Sequence, residues 1–381
     1  MTTASATGFN FSALLLYCRA GFERECAQEI AAACAGQGVA GSVRTKNGSG
    51  FVEFVLADPA AGGRLRSHLP FEHLIFARQL IYALPWIRDL PVTDRVSALL
   101  PAIAALGTPF SAAWLETADT NEAKETGAFC RKFTPPLVHA LNGASLLREG
   151  DPALPRLHLF FAGSATVCIG VSDAANSSPW TMGVPRLRLP PHAPSRSTQK
   201  LAEALYLWLT PDEDKRLLHE GVQAVDLGAA PGGWTWQLVR RGVHVIAVDN
   251  GPLAAQLLAT GLVEQVRADG FRYRPPRPVG WMVCDMVEQP IRVAELVADW
   301  LADGRCTHSI FNLKLPMKKR FEEVERCRQA MRDRWRQAGV ACELRFKHLY
   351  HDREEVTGYA KRLDAPRKKG RGAADQQARS R

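Results

Sequence analysis

The sequence predicts an α/β protein in which two small α+β units precede a larger domain built on a parallel sheet. Three observations carry this. Strand and helix alternate from about residue 195 to about residue 340, an order that yields a parallel sheet covered on both faces. The first strand of that stretch, "VQAVDLG", runs straight into the glycine-rich turn "AAPGGWT". Ahead of it, a proline-rich run sets off a front part whose elements begin in the order β-α-β-β-α-β. With 381 residues the chain has room for two or three domains.

Residues 1 to about 10 read as a loose start. A strand, "SALLLYCR", and a helix, "GFERECAQEIAAACAG", follow, then the strands "GSVRTK" and "GFVEFVL" with the turn signal Asn47-Gly48 between them. A helix around "GGRLRSHL" and a strand, "LIFARQLIYAL", complete a ferredoxin-like domain over residues 1–86. The second unit, residues 87–173, opens with a helix capped by Thr93 or Asp94. It continues through the strand "FSAAWLETAD" and a helical stretch that Pro135 and Pro136 are expected to break. The alternating strands "LHLFFAG" and "TVCIGVS" close it. Residues 174–194 read as a linker, residues 195–362 as the parallel-sheet domain, and residues 363–381 as a basic, disordered tail. That tail is either simply solvated or an auxiliary contact for phosphates.

Hydrophobic residues make up 46% and charged residues 23% of the chain, as in a globular protein, and the net charge of +9 suits an anionic partner such as nucleic acid. None of the nine cysteines forms a C-x-x-C pair, which disfavours a structural zinc site and fits reduced thiols in a cytoplasmic protein. The apolar run "ALLLYC" is too short to span a membrane, so no membrane partner is expected.

The glycine-rich turn is where an open α/β sheet receives a ligand. A dinucleotide fingerprint would read G-x-G-x-x-G, whereas the run from Gly228 is G-A-A-P-G-G, with Ala230 where pyrophosphate needs a glycine. Asp226 sits just before the turn, where a cationic group of the ligand could lie. S-adenosylmethionine, with a sulfonium and an ammonium and no phosphate, fits better than NAD. Asp249, at the end of the next strand, suits ribose hydroxyls, and Asp269 suits the adenine amino group; Asp285 ends the fourth strand. Each aspartate alone reads equally as a cap or turn residue. Acidic residues ending four successive strands on one rim point to a nucleoside-containing cofactor.

"IFNLKLPMKK" begins as a buried strand and ends in Lys314, followed by Leu315 and Pro316. Lysine is seldom buried. Either Lys314 opens a solvated loop, or the strand holds an amine at the rim of the sheet.

Taken together, "PSRSTQKL", "VDLGAAPGGWT", "VCDM", "FNLKLPMKK" and "HDREEV" resemble the FtsJ-like class of RNA 2′-O-ribose methyltransferases. The closest resemblance is to the RlmM type, which methylates a cytidine of 23S ribosomal RNA. "CRAGFE" and "ADTNEAKETGAFCRKFT" extend it over nearly the whole chain, where that type carries a ferredoxin-like unit and a THUMP domain. The resemblance implies a Rossmann-like, S-adenosylmethionine-dependent methyltransferase domain with a Lys-Asp-Lys-Glu tetrad. By motif these are Lys200, Asp285, Lys314 and Glu355, with Lys314 as general base. Glu354 and Glu355 face opposite sides of a strand, so only one can point at the site, and the Glu-Val match favours Glu355. The implied cofactor contacts are Ser197, Ala230, Pro231, Gly232, Gly233, Asp249, Asp269 and Asp285. Some relatives have cysteine at this position; the alanine here, Ala230, leaves the backbone approach possible and suggests that no thiol chemistry occurs there. The implied partner is 23S rRNA or a large-subunit precursor, met by a monomer, with Lys124, Arg131 and Lys132 either contacting phosphates or forming a solvated helix face.

The reaction implied is methyl transfer to a ribose 2′-hydroxyl, which needs a base and no metal. An amino-methylating enzyme would want an Asn/Asp-Pro-Pro-aromatic segment after the fourth strand, where this chain has "CDMVEQP". A base-carbon methyltransferase would want a nucleophilic cysteine after proline, and Cys284 lacks that setting. The alternative from another class is a non-catalytic rRNA-binding or ribosome-assembly protein on a methyltransferase-like fold. Cofactor consumption in the presence of ribosomal RNA separates the two.

Overall fold

The computed structural model describes residues 11–363. The loose start and the basic tail lie outside the described residues. The chain divides into two compact units: one holds the residues up to Arg188 with Lys319–Phe321 and Phe346–Val356, the other Leu189–Lys318, Glu322–Arg345 and the chain from Thr357.

The front unit runs β1 (Ala13–Tyr17), α1 (Glu23–Gly36), β2 (Gly41–Thr45), β3 (Phe51–Leu56), α2 (Ala61–His68), β4 (Gln79–Ala83), α3 (Arg95–Ala104), β5 (Ala112–Glu116), α4 (Lys124–Gly143), β6 (Arg156–Phe161) and β7 (Val167–Ser172). Its seven strands form one sheet in the order β2-β3-β1-β4-β7-β6-β5. The two segments read separately in the sequence are therefore continuous in hydrogen bonding: β4 pairs antiparallel with β7, Tyr82 opposite Val171. β1 lies inside the sheet between β3 and β4 and is buried along its whole length, which is why "ALLLY" shows no alternation.

Three local expectations are corrected. The strand expected over "LIFARQLIYAL" shrinks to Gln79–Ala83. The buried carboxylate of Glu29 takes the backbone N–H groups of Ile75 and Phe76, so this stretch satisfies its donors without a strand partner. Helix α4 runs through Pro135 and Pro136 instead of breaking. An interior proline costs about 3 kcal/mol. Against this, Cys130, Phe133, Leu137 and Leu141 keep one buried face across the prolines, and Phe133, Leu137 and Leu141 each contribute about 1.5–3 kcal/mol. The proline-rich stretch is not loose either. Gln79 and Ser178 exchange amide hydrogen bonds of 3.0–3.2 Å, and Glu116 accepts from the Met182 amide. The cap expected from Thr93 or Asp94 is made by Asp94, which accepts from the Ser97 amide at 3.2 Å.

The second unit continues with α5 (Ser197–Trp208), α6 (Pro211–Leu217), β8 (Gln223–Leu227), α7 (Gly233–Val239), β9 (His244–Val248), α8 (Ala255–Leu258), β10 (Val263–Val266), β11 (Val279–Cys284), α9 (Pro290–Ala302), β12 (Cys306–Lys314), α10 (Arg320–Ala338), β13 (Cys342–Lys347) and β14 (Glu355–Arg362). Its sheet order is β10-β9-β8-β11-β12-β14-β13, and the five strands from β10 to β12 are mutually parallel. The direction of chain order reverses between β8 and β11, the switch point at which such sheets bind ligands. β8, β11 and β12 are buried almost throughout, as strands covered on both faces must be. Val293, Val297, Trp300 and Leu301 line the buried stripe of α9. All nine cysteines are free thiols, eight of them buried. No helix of the described residues is long and apolar enough to cross a membrane.

Candidate active site

The glycine turn joins β8 to α7. Gly232, at φ +112°, occupies backbone space that a side chain would strain. Gly233 opens α7, and a Cβ there would stand 2.3 Å from the hydroxyl oxygens of Ser195 and Ser197. The missing side chain lets the start of α5 close on the turn. Ser195 and Ser197 share a hydrogen bond of 2.7 Å beside it.

In front of the turn lies an open cavity of about 580 Å³, lined among others by Gly228, Ala230, Asp249, Asp269, Asp285 and Met286. This is within the range of small-molecule sites. Its charged walls are carboxylates, Glu288 being the fourth, and among the described residues no lysine or arginine lines it. A cationic ligand carrying hydroxyl and amino groups finds acceptors there, with Asp269, Glu288 and Asp285 also paired to Arg272, Arg292 and Lys314. Asp249 also braces the turn: its Oδ2 accepts from the Ala230 amide at 3.0 Å and its Oδ1 from the Gly251 amide at 2.7 Å. Asp269 lies three residues beyond β10, not at its end, and accepts from the Phe271 amide at 2.9 Å.

Asp226 departs from its expected place. It is buried, its Oδ2 accepts from the Thr235 hydroxyl at 2.6 Å, and it does not line the cavity. Burial pushes its carboxyl up to about 7, against the Thr235 hydrogen bond, with the charges of Asp285 and Asp249 adding to the rise. Asp226 ties β8 to α7 beneath the turn. The Cys284 thiol is also fully buried and is pushed up to about 12 by that burial, so it is no nucleophile.

The lysine cluster stands on β11, β12 and α5. β11 and β12 run parallel with Cys284 opposite Phe311, so the next residues, Asp285 and Asn312, come side by side. Asn312 and Lys314 are two apart on a strand and share a face. Asp285 Oδ1 accepts from Lys314 Nζ at 2.6 Å and from Asn312 Nδ2 at 2.8 Å. Lys200, one turn into α5 from Ser197, brings its Nζ to 3.8 Å from Asp285 Oδ2. Lys314 is thus not a loop residue: its side chain is 22% exposed and bound to a carboxylate that also lines the cavity. Glu355 opens β14 and is buried, whereas Glu354 is exposed and pairs with Arg320 at 2.5 Å.

Two polar residues escaped the sequence reading. Asn312 and Thr357 are both fully buried, and the Thr357 hydroxyl donates to Asn312 Oδ1 at 2.7 Å. The available signal was an asparagine inside the apolar run "IFNLKL", two positions before the lysine. Lys124, Arg131 and Lys132 are all exposed on α4.

Residues 193–296, which hold the glycine turn and the strands around the cavity, match the FtsJ-like methyltransferase family. The front of the chain narrows the assignment. Residues 11–81 match the RlmM ferredoxin-like domain and residues 94–173 the N-terminal region of ribosomal RNA large subunit methyltransferase M. The chain is 54% identical over 348 residues to ribosomal RNA large subunit methyltransferase M of Methylococcus capsulatus, covering 91% of this chain and 97% of that one. It is 53% identical over 361 residues to the protein of that name from Aromatoleum aromaticum, covering 94% and 97%. The chain belongs to the ribosomal RNA large subunit methyltransferase M family.

Proposed function

We propose that the protein transfers a methyl group from S-adenosylmethionine to the 2′-hydroxyl of a cytidine in 23S ribosomal RNA, in the cytoplasm, with Lys314 as general base. The observation that carries this reading is Asp285, which lines the cavity and holds Lys314 Nζ at 2.6 Å. One carboxylate thereby connects the place for the cofactor with the place for the base.

S-adenosylmethionine, when bound, supplies an electrophilic methyl group. The chain's own work is to bind, orient and remove a proton. A ribose hydroxyl is a weak nucleophile, and Lys314 takes its proton as the new bond forms. Asp285 fixes that amine by a charge-assisted hydrogen bond. Lys200 stands on the other oxygen of Asp285 as a second cation. Glu355 is the fourth member of the tetrad by motif. Ser197, Ala230, Pro231, Gly232, Gly233, Asp249 and Asp269 hold the cofactor. Transfer of tritiated methyl to unmodified 23S rRNA, with 16S rRNA as control, tests the assignment; transfer to neither would favour a non-catalytic RNA-binding role.

Asp249→Ala removes both a cavity carboxylate and the acceptor that braces the turn. S-adenosylmethionine affinity should fall roughly tenfold or more, as loss of hydrogen bonds to a buried group entails. Calorimetric titration checks this, and unchanged affinity would take Asp249 out of the site.

The front unit is proposed to dock the RNA through Arg131 and Lys132, exposed on α4. Reversing both charges should weaken RNA binding and lower the slope of log affinity against log salt by roughly 1 to 2, with cofactor affinity unchanged. An unaltered slope would mean a merely solvated helix face. Deleting the chain beyond Leu363 should have a smaller effect.

A further inference from the structure

We propose that Asn312, held by Thr357, is a positioning residue that fixes the Asp285 carboxylate on which Lys314 is mounted. The inference rests on Lys314 being the base. It starts from two buried polar side chains on neighbouring strands: β12 fully encloses the Asn312 amide and β14 the Thr357 hydroxyl. Buried polar groups are costly unless paired, and these two pair with each other and with the site.

The order of donors is fixed by chemistry. A carboxylate oxygen needs a donor, so the Asn312 amide nitrogen faces Asp285 Oδ1, at 2.8 Å. Its carbonyl oxygen is then left to accept from the Thr357 hydroxyl, at 2.7 Å. A reversed amide would set oxygen against oxygen at Asp285. Asp285 thus sets which way the amide faces, Thr357 anchors its other end, and the carboxylate oxygen so held is the one that receives Lys314 Nζ. Asn312 also donates to the same oxygen as the lysine and so competes for its electron density. The chain Thr357–Asn312–Asp285–Lys314 makes the sheet, not the solvated end of a long side chain, the reference for where the amine stands.

The test compares Thr357→Val, which keeps the shape and removes the hydroxyl, with Thr357→Ser, which restores it. Turnover of unmodified 23S rRNA is measured alongside rRNA KM and S-adenosylmethionine affinity. Thr357→Val should lose about tenfold or more in kcat, a displacement of the base being worth up to about a hundredfold, with KM and cofactor affinity within about twofold. Thr357→Ser should keep about half the wild-type kcat or more, and Asn312→Ala should lose more than Thr357→Val. A merely structural role would lower the melting temperature of Thr357→Val and leave the kcat of the folded enzyme unchanged. Wild-type kcat in Thr357→Val, or a serine variant as poor as the valine one, overturns the proposal. Lys314→Ala, assayed in parallel, separates the two levels. An inactive Lys314→Ala beside a fully active Thr357→Val sinks the positioning role alone, whereas an active Lys314→Ala sinks the base on which it rests.

Discussion

Lys314→Ala is expected to abolish methyl transfer while the protein stays folded and binds S-adenosylmethionine. The strand ends at this residue and its Nζ is held 2.6 Å from Asp285. A base must lie within about 3 Å of the proton it removes, and a strand end keeps that position better than a free loop. Loss of a positioned base typically costs about a hundredfold to ten-thousandfold in rate. Lys314→Arg should fail as well. A guanidinium can keep the ion pair with Asp285 but stays protonated and cannot accept the proton. The assay is tritiated transfer to unmodified rRNA with cofactor binding measured in parallel. Near wild-type turnover in the arginine variant would make Lys314 a positioning charge.

Asp285→Asn should be nearly as damaging, and in a different way. The carboxylate serves two masters: it lines the cavity, and it receives Lys314 and Asn312 on one oxygen with Lys200 beside the other. An asparagine has the same shape but no charge, and one of its two positions becomes a donor facing donors. Turnover should fall by about a hundredfold or more, the scale of losing an electrostatic element of a preorganised site. Unlike Lys314→Ala, it should also weaken S-adenosylmethionine binding, so the pair of variants separates the base from the group that orients it. Calorimetry together with the same transfer assay reads both effects, and a variant retaining most of its turnover with wild-type affinity would remove Asp285 from the centre of the site.

The candidate site was largely legible because its parts sit at the ends of strands. Apolar runs mark β8, β9, β11 and β12, and the first hydrophilic residue after such a run lands on the rim where ligands bind. Asp249 and Asp285 could be found this way, and Lys314 as the charged residue that ends β12. Asp226 could not, because adjacency to the glycine turn does not say which way the side chain goes, and a hydroxyl nine residues on, at Thr235, draws it inward. Asn312 and Thr357 stayed hidden since their partners are distant in sequence. In the front unit the individual elements were readable, but the pairing of β4 with β7 was not: local pattern carries no information about which edges two hairpin-rich segments will share. The prolines of α4 misled for a related reason. Their cost is local and visible, whereas the buried face that outweighs it is set by tertiary packing.

The position of the methyl group on the nucleotide is the sharpest test. RNA methylated in vitro by the enzyme is cleaved with alkali, a reaction in which the 2′-hydroxyl itself is the nucleophile, and the labelled fragment is identified by mass spectrometry. With Lys314 acting on a 2′-hydroxyl, the label should be recovered in an alkali-resistant dinucleotide containing 2′-O-methylcytidine, and Lys314→Ala should yield none. Label recovered in a mononucleotide, on the base, would contradict ribose methylation and the role given to the lysine.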